Sequence, residues 1–218
     1  MLDVLARVRS LPVMGQVLSP YSNPMWKITP SSQALRTLRL FWLRRSPEGS
    51  LEHDFTDAAR DTRFLRDLYA ALDEQARKSY GLVATPDFVA DMILDLTVEP
   101  AVAKSGLPGF RAVDPACGSG TFLLGLFSRL FRRWTDAEPD MSPWQRAARA
   151  LRSVHGVDID PCAVSIARFR LLVAAMNATG EQRLSTVPDV PVVVAVGDSL
   201  LRGRGLRMWG AFPWRSLP

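Results

Sequence analysis

Residues Val113 to Leu124 read Val-Asp-Pro-Ala-Cys-Gly-Ser-Gly-Thr-Phe-Leu-Leu, and no other stretch restricts the fold as much. A short apolar segment ends in an acid, passes through a tight glycine loop and opens an amphipathic helix. Gly118 and Gly120 let the backbone approach a ligand closely, and the helix start offers free N–H groups to it. A nicotinamide dinucleotide site is the main competitor. That fingerprint wants three glycines spaced G-x-G-x-x-G and an acid about 20 residues further on. Here Leu123 stands at the third glycine position, and the next acid that closes a plausible strand is Asp158. A ligand with no pyrophosphate to cradle needs only the two glycines present.

The same strand-to-loop grammar recurs downstream. Val154 to Ile159 is apolar and predicts a second strand, followed by Asp160 and Pro161, which start a helix running to about Ala178 before Gly180. Asp158, at the strand end, is placed to accept the ribose hydroxyls of an adenosine, as strand-end acids do in doubly wound folds. Pro191 to Val196 predicts a third strand, ending in Gly197-Asp198-Ser199-Leu200. Between the first two strands, helices are expected over Thr121–Trp134, with Phe122, Leu126, Leu130 and Trp134 on one side, and around Trp144–Leu151. Arg129, Arg132 and Arg133 fall near the end of the first, where the helix dipole favours cations. His155 reads as strand packing. Upstream, Thr85-Pro86-Asp87 reads as an N-cap, a first helical proline and a dipole-matched acid. Val89, Met92, Ile93 and Leu96 then form an apolar stripe. Each element ends a strand or opens a helix on one edge of a parallel sheet, where such sheets bind ligands.

The ordered set Thr85-Pro86, Asp114-Pro115-Ala116-Cys117-Gly118-Ser119-Gly120, Gly156-Val157-Asp158-Ile159-Asp160-Pro161 and Gly197-Asp198-Ser199-Leu200 resembles the cofactor half of adenine-N6 DNA methyltransferases. Further stretches narrow the likeness. Asp54-Phe55-Thr56-Asp57, Asp61 to Leu65, Val154 to Asp158 and Ala167 to Ala175 look like the phage-growth-limitation methyltransferases of BREX defence systems, over roughly residues 23–203. The resemblance implies S-adenosyl-L-methionine as cofactor and DNA as the partner that is methylated, for phage defence or restriction-modification. It implies cofactor contacts from Thr85 and Pro86 at the methionine end. It implies others from Asp114, Pro115, Ala116, Cys117, Gly118, Gly120 and Phe122 around the loop, and from Asp158 and Ile159 at the ribose. Asp198, Ser199 and Leu200 would lie at the adenine, the aspartate near its amino group and an apolar neighbour against the ring.

The expected fold is therefore α/β, a partial Rossmann-like methyltransferase core with strand order 3-2-1. Residues 1–79 form an N-terminal helical extension, 80–203 the cofactor-binding subdomain and 204–218 an irregular tail. In the extension, helices are expected over Leu2–Leu11, Ser32–Arg45 and about Asp61–Lys78, the last with Phe64, Leu65, Leu68, Leu72 and Ala76 on one face. At 218 residues, 47% hydrophobic and 22% charged, the composition is that of a soluble globular chain. No uninterrupted apolar run reaches about 18 residues. The best candidate, Ala163 to Ala178, is broken by Arg168 and Arg170. No secretory leader is visible, so a cytoplasmic location without membrane attachment is expected. Cys117 and Cys162 make no metal spacing and no metal is expected. A net charge of +5, carried mostly by arginine, favours a polyanion but also fits a GC-rich genome.

Amino methyltransferases also need an [N/D/S]-P-P-[Y/F/W] loop to hold the target amine and stack on the flipped base. None follows Leu201, and the lookalike Asn23-Pro24-Met25-Trp26 precedes the cofactor motifs. No catalytic residue is therefore assigned. The expectation is a cofactor half acting with a C-terminal half or other defence-system proteins, with an open edge beside the first strand. Two other readings stay open: a non-catalytic cofactor-binding or partner-docking remnant, and a methyltransferase with a protein or RNA acceptor.

Overall fold

The computed structural model describes residues 31–50, 52, 62–72 and 85–200. The expected helix over Leu2–Leu11, the stretch 73–84 and the tail 204–218 lie outside them. Seven elements from residue 87 onward make a βαβ core: α3 (Asp87–Ser105), β1 (Ala112–Asp114), α4 (Thr121–Ala137), α5 (Pro143–Arg152), β2 (Val154–Asp158), α6 (Pro161–Thr179) and β3 (Val193–Val196). Before them come α1 (Ser32–Trp42) and α2 (Arg63–Leu72). The three strands are parallel in the order β1-β2-β3, with Asp114 opposite Gly156 and Asp158 opposite Val196. This is the 3-2-1 order expected from the sequence.

β2 runs through the middle and every one of its residues is buried. Val154 and Val157 supply its apolar side chains, His155 and Asp158 are buried polar residues, and Gly156 between them is explained by packing. A Cβ at Gly156 would lie 2.7 Å from Leu123 Cδ1 and 3.1 Å from the Cys117 sulfur. The core around it joins Leu123, Leu126, Phe127, Leu130 and Trp134 of α4 to Val164, Ala167, Leu171, Leu172 and Ala175 of α6. His155 is buried within β2, its Nδ1 3.3 Å from the Ala112 carbonyl. α6 has the length and apolar content of a membrane span, yet half of it is buried inside the fold. Its two arginines explain how. Arg168 Nε donates to the Val194 carbonyl at 2.8 Å, and Arg170 donates to the Ser119 carbonyl at 2.7 Å. Buried guanidinium groups persist only with such partners.

Three sequence expectations change. The residues of α3 that face the core are Ala90, Leu94, Val98 and Val102, spaced by four, whereas Met92, Ile93 and Leu96 are exposed. α3 is apolar on more than one side, so periodicity alone selects no face. Its second apolar side borders β1, where Ile93, Thr97, Ala101, Val113, Asp114 and Phe122 line a groove of about 420 Å³. Val113 is 55% exposed there, and among the described residues no strand pairs with the outer edge of β1. The arginines of α4 serve a lateral role instead of a dipole one. Arg129 pairs with Asp91 and Asp95 of α3, and Arg133 with Glu99. On α2 the buried anchor is Tyr69, while Phe64 of the expected stripe is exposed.

The corrected face of α3 sets a contrast between neighbours. Leu94→Ala, at 4% exposure, should lower unfolding stability by about 2–5 kcal/mol. Leu96→Ala, at 69% exposure, should change it by no more than about 0.5 kcal/mol. Chemical denaturation of the two variants checks this.

Candidate functional site

The glycine loop is built by backbone geometry. Gly118 has φ 51° and Gly120 φ 88°, both in the left-handed region that glycine alone enters freely. The two differ in surroundings. A Cβ at Gly120 would press on Ala167 at 3.1 Å, so this glycine lets α6 close on the loop. Among the described residues, a Cβ at Gly118 would meet nothing within 4 Å. Cys117 N donates to the Val157 carbonyl at 2.9 Å and carries the β1–β2 ladder into the loop. Its thiol is buried against Gly156, and burial pushes its pKa up. Cys117 therefore contributes backbone to the site and sulfur to the core.

Two carboxylates flank this loop. Asp158 accepts from Gly118 N at 2.7 Å through Oδ2 and from Asp160 N at 2.9 Å through Oδ1. Asp114 accepts from Ala116 N at 3.2 Å through one oxygen. Its other oxygen, Oδ2, is buried with no hydrogen-bond partner among the described residues. Burial, and then the charge of Asp158, raise the Asp114 pKa above the usual carboxylate range. A buried acceptor without a donor is costly, so Asp114 Oδ2 is left able to accept from a hydrogen-bond donor or a cation at that point.

The remaining predicted residues gather on the same edge of the sheet. Gly197 N donates to the Asp158 carbonyl at 2.8 Å, which carries β3 into the turn at Asp198, whose carboxylate accepts from Leu200 N at 2.9 Å. Ile159 and Leu200 are exposed, the latter at 91%, and Ser199 is exposed with them. Pro115 and Phe122 line the groove that runs from the loop along α3. The helix start moves by one residue from its predicted place. Pro86, with ψ 141°, is the N-cap of α3 and Asp87 its first residue, so Thr85 caps nothing through its side chain. The Pro86 carbonyl accepts from Val89 N and Ala90 N, the bonds a cap residue makes.

Sequence reasoning gave no site role to Thr62, Arg66, Tyr69 and Arg170; the structure ties Thr62 and Arg170 to the loop at Ser119, Tyr69 to Asp160 and Arg66 to the start of α3. Only Arg170 left a signal, as a charge inside an apolar helix. The others are ordinary polar residues whose partners lie far away in the chain.

The sequence that builds this site has counterparts in known proteins. The chain is 49% identical over 189 residues to an adenine-specific methyltransferase, PglX, of Streptomyces coelicolor, a match that covers 83% of this chain and 16% of that protein. Over most of its own length the chain is thus similar to one part of a PglX-like adenine-specific methyltransferase. It is also 25% identical over 179 residues to a Methanocaldococcus jannaschii protein named as a type II restriction enzyme and methyltransferase, covering 60% of this chain and 15% of that protein. No family model matches the chain. The chain thus spans about a sixth of the length of each PglX-like or restriction-type relative it matches.

A cation bound at Asp114 Oδ2 would bind with a pH dependence. It would pair with the ionised carboxylate, so affinity would be full above the pKa of the empty site and fall as pH drops through it. Because that pKa is raised, the fall should begin at a higher pH than an ordinary aspartate gives. Calorimetric titration with S-adenosylmethionine across a pH series checks this, and Asp114→Asn should bind weakly with the pH step removed.

Proposed function

We propose that this chain holds S-adenosylmethionine at the glycine loop, as the cofactor-binding part of an adenine-N6 DNA methyltransferase of phage defence. The buried, unpartnered Asp114 Oδ2 beside an open Gly118 carries the reading. The cofactor's methionine end bears an ammonium that suits Asp114, and its ribose bears two hydroxyls that suit Asp158. Its sulfonium supplies an electrophilic methyl group when bound. Asp158 already accepts from two backbone N–H groups, so it is oriented before ligand arrives and its remaining lone pairs are left for hydroxyl donors. Among the described residues, nothing within 4 Å of a Cβ at Gly118 obstructs the ligand's close approach. DNA as acceptor, adenine N6 as target and the defence role rest on the names of the relatives and on the motif resemblance.

Transfer needs an acceptor-holding loop, and residues 1–218 contain no [N/D/S]-P-P-[Y/F/W] motif after the cofactor elements. The reading therefore assigns that step to a complementary half, whose strand adds to the exposed edge of β1. The apolar groove along α3 and the exposed Val113 support that position. Open strand edges and uncovered apolar faces promote association.

Asp158→Ala should weaken S-adenosylmethionine binding by roughly 10- to 150-fold, the loss expected for hydrogen bonds to a charged acceptor of about 1.5–3 kcal/mol. Gly118→Val should be at least as damaging. Calorimetry giving equal affinities for wild type and Asp158→Ala would reject the ribose role. With tritiated cofactor and phage DNA, the chain alone should give background labelling. Co-expression with a segment carrying the missing loop should yield labelled adenine and relieve self-association. Labelling by the chain alone that disappears on mutating Asn23 would instead assign catalysis to Asn23-Pro24-Met25-Trp26.

A further inference from the structure

α2 makes three ties to the cofactor edge, from positions about one helical turn apart. At its start, Thr62 is buried and its hydroxyl accepts from Arg170 Nε at 3.2 Å. The same guanidinium donates to the Ser119 carbonyl at 2.7 Å. Thr62 has φ 59°, the only positive φ outside glycine among the described residues. A β-branched residue enters that region only where its surroundings hold it there. One turn on, Arg66 donates to Asp87 at 2.6 Å, at the first residue of α3. Tyr69, buried, donates its hydroxyl to Asp160 Oδ2. Asp160 Oδ1 accepts from Cys162 N at 2.7 Å and so caps α6. The backbone of Asp160 donates to Asp158, which holds Gly118 N. A continuous hydrogen-bonded path thus runs from Tyr69 through Asp160 and Asp158 to Gly118, and a second from Thr62 through Arg170 to Ser119.

We propose that α2 is a strap that positions the cofactor site, with Tyr69, Arg66 and Thr62 as its positioning residues. It joins the start of α3, the start of α6 and two consecutive loop residues. None of its three side chains need touch ligand. The strap sets the direction of the Asp158 carboxylate and the shape of the loop at Gly118 and Ser119, and so couples cofactor affinity to the N-terminal segment. Burial and the neighbouring Asp160 push the Tyr69 phenol upward, so it remains a donor at every working pH. This inference rests on S-adenosylmethionine as the ligand, and the test separates the two ideas.

The full chain should be made as wild type, Tyr69→Phe, Arg66→Met, Thr62→Ala and Thr62→Ser. Tyr69→Phe keeps the ring and removes only the hydroxyl, and Thr62→Ser keeps the hydroxyl. Tyr69→Phe should lower S-adenosylmethionine affinity roughly tenfold in calorimetry. Thr62→Ala should lower it and Thr62→Ser restore it. In a double-variant cycle, Tyr69→Phe should have little further effect once Asp158→Asn is present, since it acts through that carboxylate. Amide hydrogen exchange of Gly118 and Gly120 in ligand-free chain should speed up in Tyr69→Phe. A purely structural Tyr69 would lower the melting temperature with additive, unspecific loss of binding and no selective change at the loop. Unchanged affinity and unchanged loop exchange in Tyr69→Phe and Arg66→Met would overturn the strap while leaving the cofactor reading intact. Wild-type chain that binds no S-adenosylmethionine would overturn the cofactor reading, and loop exchange would then decide the strap alone.

Discussion

The carboxylate of Asp158 holds two separate backbone segments at once, accepting from Gly118 on one side and Asp160 on the other. Its carbonyl accepts from Gly197 on the third strand's exit. One residue at the end of the central strand therefore fixes the loop after β1, the start of α6 and the turn after β3. That convergence works only because β2 is buried along its whole length and cannot shift register without exposing apolar side chains. The packing of Leu123 and Cys117 into the space left by Gly156 locks the loop helix to the same strand.

The acids at this edge are arranged unequally. Asp158 is satisfied by backbone donors, whereas Asp114 keeps a buried oxygen with none. In a folded core that inequality would be a defect, since each unmet acceptor costs stability. At the mouth of a parallel sheet it fits the proposed binding site, in which Asp158 holds the loop and Asp114 would take the ligand's charge. α2 extends this logic outward. On the strap proposal, its side chains reach Asp158 through Asp160 and the loop at Ser119 through Arg170, so the segment before the sheet supports the site.

Much of this was legible in the chain because the relevant signals are local. Gly118 and Gly120 demand positive φ, Asp160 and Pro161 mark a helix start, Gly180 a helix end, and each can be recognised without knowing what lies nearby. The strand order was expected from the resemblance to a Rossmann-like methyltransferase core. The face of α3 was not legible, because its sequence is apolar on two sides and only the packing of Ala90, Leu94, Val98 and Val102 into the core decides which one turns inward. The cap at Pro86 was missed by one residue, because Thr85 and Pro86 both suit a helix start and only backbone dihedrals separate them.

The sequence by itself determined the elements, their parallel order, the glycine loop and the acids that close two strands. These depend on residue types and spacings that act within a turn or two. Only the tertiary structure decided which of those acids is left unsatisfied, that Arg168 and Arg170 turn an apolar helix into a cross-linked core helix, and that Tyr69 connects to Gly118. Those outcomes join residues tens of positions apart through hydrogen bonds whose value depends on burial, and burial is a property of the assembled fold.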